Sequence, residues 1–252
     1  MQAKRIMVNT HIEKTAGTSL LRFFEQTVGK NRIAFYDPIT DSLIKVSDLF
    51  VSPSNDFIDK HQLKSYAFWP ILKQFYFIVQ SKNRRSSSLP ESIAIVHGHF
   101  AANRFDSLLK DPIRSVVIRD PLKRMRSQYD HWKRAKGRNQ WRIMVPYNSQ
   151  MSFEEYALLP VMQNYQTKAL AGKDLASFDV VGVTERMDAF TNVLFDMLVK
   201  EGHIQKSIHM DSVKKLNPHK KIHETTIEFE KKFKIFHKED YQLYKQALSL
   251  AK

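Results

Sequence analysis

The chain has no cysteine, which excludes disulfide staples, thiolate nucleophiles and Cys-ligated zinc together. It also has no apolar run of the roughly 18 residues that a spanning helix needs. The longest candidate, residues 68–80, is broken by Pro70, Lys73 and Gln74. The opening MQAKRIMVNTHI has neither the apolar stretch nor the small-residue cleavage site of a secretory signal, so the expectation is a cytoplasmic protein without a transmembrane segment. Acid is scarce: 26 Asp and Glu face 40 Lys and Arg, a net charge of +14 with a pI near 9.8. That surplus points to an anionic partner, whether nucleic acid, a membrane surface or an acidic molecule or polymer.

What is present argues for a folded domain. An apolar content of 42% with 12% aromatics over 252 residues is more than a disordered chain carries, and the length suits one domain, residues 1–252. The cations are concentrated. Nine lie between Arg119 and Arg142 against only Asp120 and Asp130, and a second group comprises Lys214, Lys215, Lys220, Lys221, Lys231, Lys232, Lys234 and Lys238. A charge run alone is also what a solvated helix face looks like.

Hydrophobic periodicity organises the chain as alternating strands and helices. Residues 5–12 alternate as a strand and lead through a loop into SLLRFFEQTV, whose apolar residues recur at helical spacing up to Gly29. Residues 37–92, interrupted by prolines and ending in a Ser-rich stretch, read as an insertion with one or two helices, including one near 71–79. Strands follow at 93–96, 114–118 and 179–184. Helices are expected at 103–109, from Pro121 to about 136, at 153–158, 161–171, 187–202 and 240–250. Strands and helices in this order imply a P-loop-like α/β fold with a central parallel sheet flanked by helices and a helical insertion. Ligands of such sheets bind beyond the carboxyl ends of the strands.

Three strand ends carry polar residues suited to that place. The turn HIEKTAGTSL combines Lys14, Gly17, the hydroxyls of Thr15, Thr18 and Ser19, and a helix start, the components of an anion cradle. It is not a Walker A loop, because Lys14 precedes the glycine. An ordinary helix start with Thr18 as N-cap is the plainer alternative. His97 and His99 end the second predicted strand and point the same way if it is extended. They form either an acid–base pair, a structural pair or part of a metal site, and spacing picks out no third ligand. Arg119 ends the third strand, where it offers a phosphate fork or a salt bridge to Asp120. Trp132, Trp141 and Tyr147 suit either sugar stacking or a core.

HIEKTAGTSL resembles the 5′-phosphosulfate loop of sulfotransferases that use 3′-phosphoadenosine-5′-phosphosulfate (PAPS), in the form HIPKTAGTSL of the carbohydrate group related to heparan sulfate 2-O-sulfotransferases. VHGHF (96–100), VVIRDPLKRMRSQY (116–129), NYQTKALAG (164–172), VVGVTERMDAF (180–190), KLNPHKKIHETT (215–226) and EDYQLYKQAL (239–248) match in the same order, so the resemblance spans residues 5–250. Glu13 departs from it, standing where that family has proline.

The resemblance implies that Lys14, Thr15, Ala16, Gly17, Thr18 and Ser19 hold the 5′-phosphosulfate, with Lys14 also steadying the departing oxygen. It implies that Arg119 and Ser127 bind the 3′-phosphate and that His99, with His97 beside it, supplies the general base. Lys220 and Lys221 either close over the nucleotide or form a solvated loop. The implied reaction is metal-free sulfuryl transfer from PAPS to a saccharide hydroxyl, releasing adenosine 3′,5′-bisphosphate, with no nucleic-acid partner. A polyanion-binding module or an NTP-dependent P-loop protein are the competing readings. The first leaves the ordered motifs unexplained, and the second lacks the Walker lysine and an evident Mg²⁺ site.

Overall fold

Among the described residues, six strands form one sheet in the order β3-β2-β4-β1-β5-β6: β1 is Met7–Thr10, β2 Ile33–Asp37, β3 Ser42–Lys45, β4 Ile95–Gly98, β5 Ile113–Ile118 and β6 Val180–Val183. β2, β4, β1, β5 and β6 run parallel, and only the edge strand β3 is antiparallel, to β2. The helices are α1 (Gly17–Val28), α2 (Pro121–Ala135), α3 (Phe153–Ala157), α4 (Tyr165–Ala169), α5 (Met187–Lys200), α6 (Ile227–Phe236) and α7 (Lys238–Leu250), with short 3-10 turns between some of them. This computed structural model describes residues 4–37, 42–45, 89, 92–135, 145, 147–205 and 224–251. The chain thus adopts the expected P-loop-like α/β fold.

The two-residue side-chain period of a strand sorts the core onto both faces. On β5, Ile113 and Val117 pack with Leu20, Phe23 and Phe24 of α1 and with Phe190, Leu194 and Leu198 of α5. Val116 and Ile118 face the other way, onto Ala169 of α4 and Leu243 and Ala247 of α7. A third cluster gathers Trp132, Tyr129, Phe153, Tyr156, Phe229 and Phe233 around α2, α3 and α6. Trp132 is therefore core, its indole N–H donating to the Val145 carbonyl at 2.9 Å, and Tyr147 packs on it at 5.3 Å. Trp141 lies outside the described residues.

Several expected elements differ. The insertion begins with a strand, β3, that was not expected, and the helix expected near 71–79 lies outside the described residues. Residues 103–109 form successive turns: Phe105 packs edge-on to Tyr36 and Phe100 at 5.9 and 4.9 Å, which fixes a bent path. The helix expected over 161–171 is divided at Asn164, whose φ of 48° is left-handed. α6 was not expected: in IEFEKKFKIF its buried residues Phe229 and Phe233 are interleaved with charge.

The chain leaves β1 through α1 to β2 on one side of it and later reaches β5 on the other, so the ends of β4, β1 and β5 lie together at a reversal of strand order, the usual ligand position in this architecture. α5 closes the face beneath. A Cβ at Gly182 would lie 2.4 Å from the Phe190 ring, which is buried. We expect Gly182→Ala to displace α5 and destabilise the protein by about 1–3 kcal/mol, seen as a lower urea midpoint. An unchanged midpoint would contradict this packing.

Candidate active site

At the end of β1 the sheet carries a polar row on the α1 face. Asn9 pairs in register with His97 on β4 and with Ser115 on β5, two residues beyond the apolar row of Met7, Ile95 and Ile113. The row is bonded internally: the Asn9 amide donates to Ser115 Oγ at 2.8 Å, and its Oδ1 lies 2.8 Å from His97 Nδ1. That oxygen can only accept, so His97 Nδ1 carries the proton. His97 is 1% exposed, with the rings of Phe24 and Phe35 at 5.6 and 6.1 Å. Burial, with the neighbouring His99, pushes its pKa down to about 3. His97 is thus a neutral anchor within the sheet, and a proton taken from a substrate near neutral pH would not rest on it.

His99, one residue past β4, is half-buried. Its Nδ1 lies 2.9 Å from the His11 carbonyl oxygen, so Nδ1 is the donor and the neutral ring carries its lone pair on Nε2. His11 stacks on both histidines, with centroids 5.1 Å from His97 and 4.2 Å from His99. Among the described residues no group of three His, Cys, Asp or Glu side chains is arranged to hold a metal ion.

The loop from His11 to Ala16 then turns into α1. Lys14 and Ala16 both have φ of 70°, a left-handed backbone costly for residues with a Cβ. Ala16, not Thr18, is the N-cap. It offers no side-chain cap, and the first turn carries no acid. Thr18 and Ser19 lie within that turn, where backbone N–H groups have no intrahelical partner. Thr15 is buried and its hydroxyl donates to the Ile12 carbonyl at 2.8 Å, so it closes the turn.

Cations surround this helix start. Arg119, just past β5, donates from Nη1 to the Lys14 carbonyl at 2.9 Å. The Lys14 ammonium is held down to about 8, first by burial and then by Arg134, Arg119 and Arg124, against the opposing influence of Glu13. Arg124 is 1% exposed, lies 4.8 Å over the Tyr165 ring, and has Nε and Nη2 without a hydrogen-bond partner among the described residues. Glu13 takes a hydrogen bond from the Tyr165 hydroxyl, which ties its carboxylate to α4. Asp120 caps α2, accepting from the Lys123 N–H at 2.8 Å, rather than bridging to Arg119.

Four residues prove structurally central, of which only Gln166 is singled out in the sequence, for a structural or substrate-positioning role. Gln166 holds the backbone of Arg119 at both ends, accepting from its N–H at 3.0 Å and donating to its carbonyl at 2.9 Å. Buried Asp240 accepts from the backbone N–H of Gln166 and Thr167 and from the Thr167 hydroxyl. His11 and Arg124 are the others. The NYQTKALAG and EDYQLYKQAL segments, matched as motifs, are where two of them reside. Ser127 is half-buried on the second turn of α2, and Lys220 and Lys221 lie outside the described residues.

These facts imply a cost in folding. Unfolded Lys14 keeps its proton to about 10.5 and folded Lys14 only to about 8, so folding is disfavoured below pH 8 and the penalty fades between pH 8 and 10.5. We expect Lys14→Met to raise the thermal midpoint at pH 7 by roughly 2 °C or more, the gain shrinking toward pH 10. A lowered or pH-independent midpoint difference would contradict this.

No protein-family model and no curated protein matches the chain. Among solved structures, the crystal structure of a sulfotransferase from Alicyclobacillus acidocaldarius aligns over 98% of this chain and 96% of its own, at 13% identity and a TM-score of 0.48. No helix among the described residues is long and apolar enough to cross a membrane.

Proposed function

We propose that the protein is a sulfotransferase that moves a sulfuryl group from PAPS to a hydroxyl of a saccharide acceptor. The observation that carries this reading is the uncapped, acid-free start of α1 among Lys14, Arg119, Arg124 and Arg134, beside a histidine whose Nδ1 proton is already committed. The first part is what a dianionic group needs, and the second is what a base needs.

In this reading the 5′-phosphosulfate lies against the first-turn N–H groups of Gly17, Thr18 and Ser19, with Lys14 over the bridging oxygen. Thr15 and Ala16 shape the turn. Arg119, whose backbone Gln166 holds, takes the 3′-phosphate together with Ser127, and Lys220 and Lys221 cover the nucleotide. The acceptor O–H gives its proton to His99 Nε2 as its oxygen attacks sulfur. The bond from sulfur to the bridging oxygen breaks, and the electron pair stays on the phosphate of adenosine 3′,5′-bisphosphate. Negative charge develops on that oxygen, where a preorganised cation and backbone dipoles lower the barrier most. His97 supports the base from behind. A saccharide acceptor fits the many cations near the loop and the sequence motifs.

The test is calorimetric titration with adenosine 3′,5′-bisphosphate, with ATP plus Mg²⁺ and a mixed oligonucleotide as comparators. Saturable binding selective for the bisphosphate is expected, weakened at least tenfold, about 1.4 kcal/mol, in Arg119→Ala. Preference for ATP, or oligonucleotide binding that collapses with salt, would overturn the reading.

A further inference from the structure

Gly17 sits in the loop motif where a glycine is ordinarily explained by backbone freedom or by room for an anion. Its backbone explains nothing of the kind, because it is not among the positive-φ residues, and the left-handed positions in this loop are taken by Lys14 and Ala16. The space beside it is decisive. A Cβ on Gly17 would lie 1.7 Å from His11 Cε1, 1.8 Å from Nε2 and 2.4 Å from Nδ1. The His11 imidazole occupies the volume that any other residue at position 17 would fill.

Held there, His11 is the middle ring of a three-histidine stack. One side meets His97, which is fixed to the sheet through Asn9 and Ser115, and the other meets His99 at 4.2 Å. Its main chain acts on the same neighbours: the His11 N–H donates to the Gly98 carbonyl at 2.9 Å, and the His11 carbonyl accepts from His99 Nδ1 at 2.9 Å. Ring and backbone of one residue thus fix the plane and the tautomer of His99.

We propose that His11 is the positioning residue for His99 and that Gly17 is required as the seat of the His11 ring. The value of a positioned His99 rests on the sulfotransferase reading, whereas the positioning itself does not. Pressing a methyl group into the seat expels the ring, tilts His99 and releases its fixed tautomer.

The experiment is a mutant cycle of Gly17→Ala, His11→Ala and the double variant, with His11→Phe as the conservative replacement. Imidazole nitrogen NMR reads the His99 tautomer, and calorimetry reads affinity for adenosine 3′,5′-bisphosphate. The wild type should show His99 protonated on Nδ1 when neutral. Gly17→Ala and His11→Ala should each mix the tautomers, because the unstacked His99 ring can turn away from the carbonyl that every variant keeps, and His11→Phe, which restores a flat ring against His99, should restore the single form. Gly17→Ala should weaken bisphosphate binding at least fivefold when His11 is present and less than twofold in the His11→Ala background, where the methyl has room. Equal weakening in both backgrounds would mean that the glycine serves the anion, and a His99 tautomer unmoved by Gly17→Ala and His11→Ala would remove the positioning role. Either result overturns the proposal. A wild type that does not bind the bisphosphate sinks the donor reading instead, and the tautomer measurement then decides the positioning claim.

Discussion

Positive charge gathered at the start of α1, whose first turn carries no acid, is the constraint around which the rest of this molecule is arranged. The loop is bent through two left-handed residues with side chains, the helix begins without a cap, and Lys14 is held among arginines that depress its ionisation. Each feature is unfavourable by itself. Such costs persist where surrounding structure over-determines them, and they cluster at sites whose ligand relieves them. The one carboxylate within the loop, Glu13, accepts from the Tyr165 hydroxyl and offsets only part of the charge around Lys14.

The scaffold supplies the over-determination from two directions. Below, the Asn9, His97 and Ser115 row replaces what would be a third apolar layer and bonds the ends of β1, β4 and β5 to one another. From the side, the C-terminal helix reaches the site through α4: Asp240 orders the backbone of Gln166 and Thr167, and Gln166 grips Arg119. His237 joins the same support, accepting from the Asn164 N–H and donating to the Ala157 carbonyl, and burial lowers its pKa, favouring the neutral form that this pattern needs. Groups far apart in the chain thus fix the backbone from which one guanidinium extends. Networks satisfied this fully rigidify a site.

Much of this was legible in the sequence, and the boundary between what was and was not has physical causes. The parallel strands β4, β5 and β6 stand out as apolar runs ending in polar residues, β1 as an alternating stretch, and α2 because proline opens it after Arg119 and Asp120. β2 was missed because IAFYD follows closely on α1 with only a 3-10 turn between. The break at Asn164 was invisible because helical spacing continues through it. What interrupts the helix is the interaction of Asn164 with His237 and Asp240, residues over seventy positions away. The two histidines of VHGHF were legible as a pair, but not their division of labour. A period of two says that they point alike, and only the packing of Phe24 and Phe35 says that His97 is sealed and His99 is not. Gly17 was legible as a loop glycine and misleading as to why, since its requirement arises from a ring six residues earlier.

The central claim is that the α1 start receives the 5′ end of the nucleotide while Arg119 receives the 3′-phosphate. The most direct measurement is a crystal structure of the protein with adenosine 3′,5′-bisphosphate. The account predicts the 5′-phosphate within hydrogen-bonding distance of the backbone N–H groups of Gly17, Thr18 and Ser19, Lys14 beside it, and the 3′-phosphate on the Arg119 guanidinium. A nucleotide bound with its phosphates reversed, or held elsewhere with the α1 start empty, would contradict it.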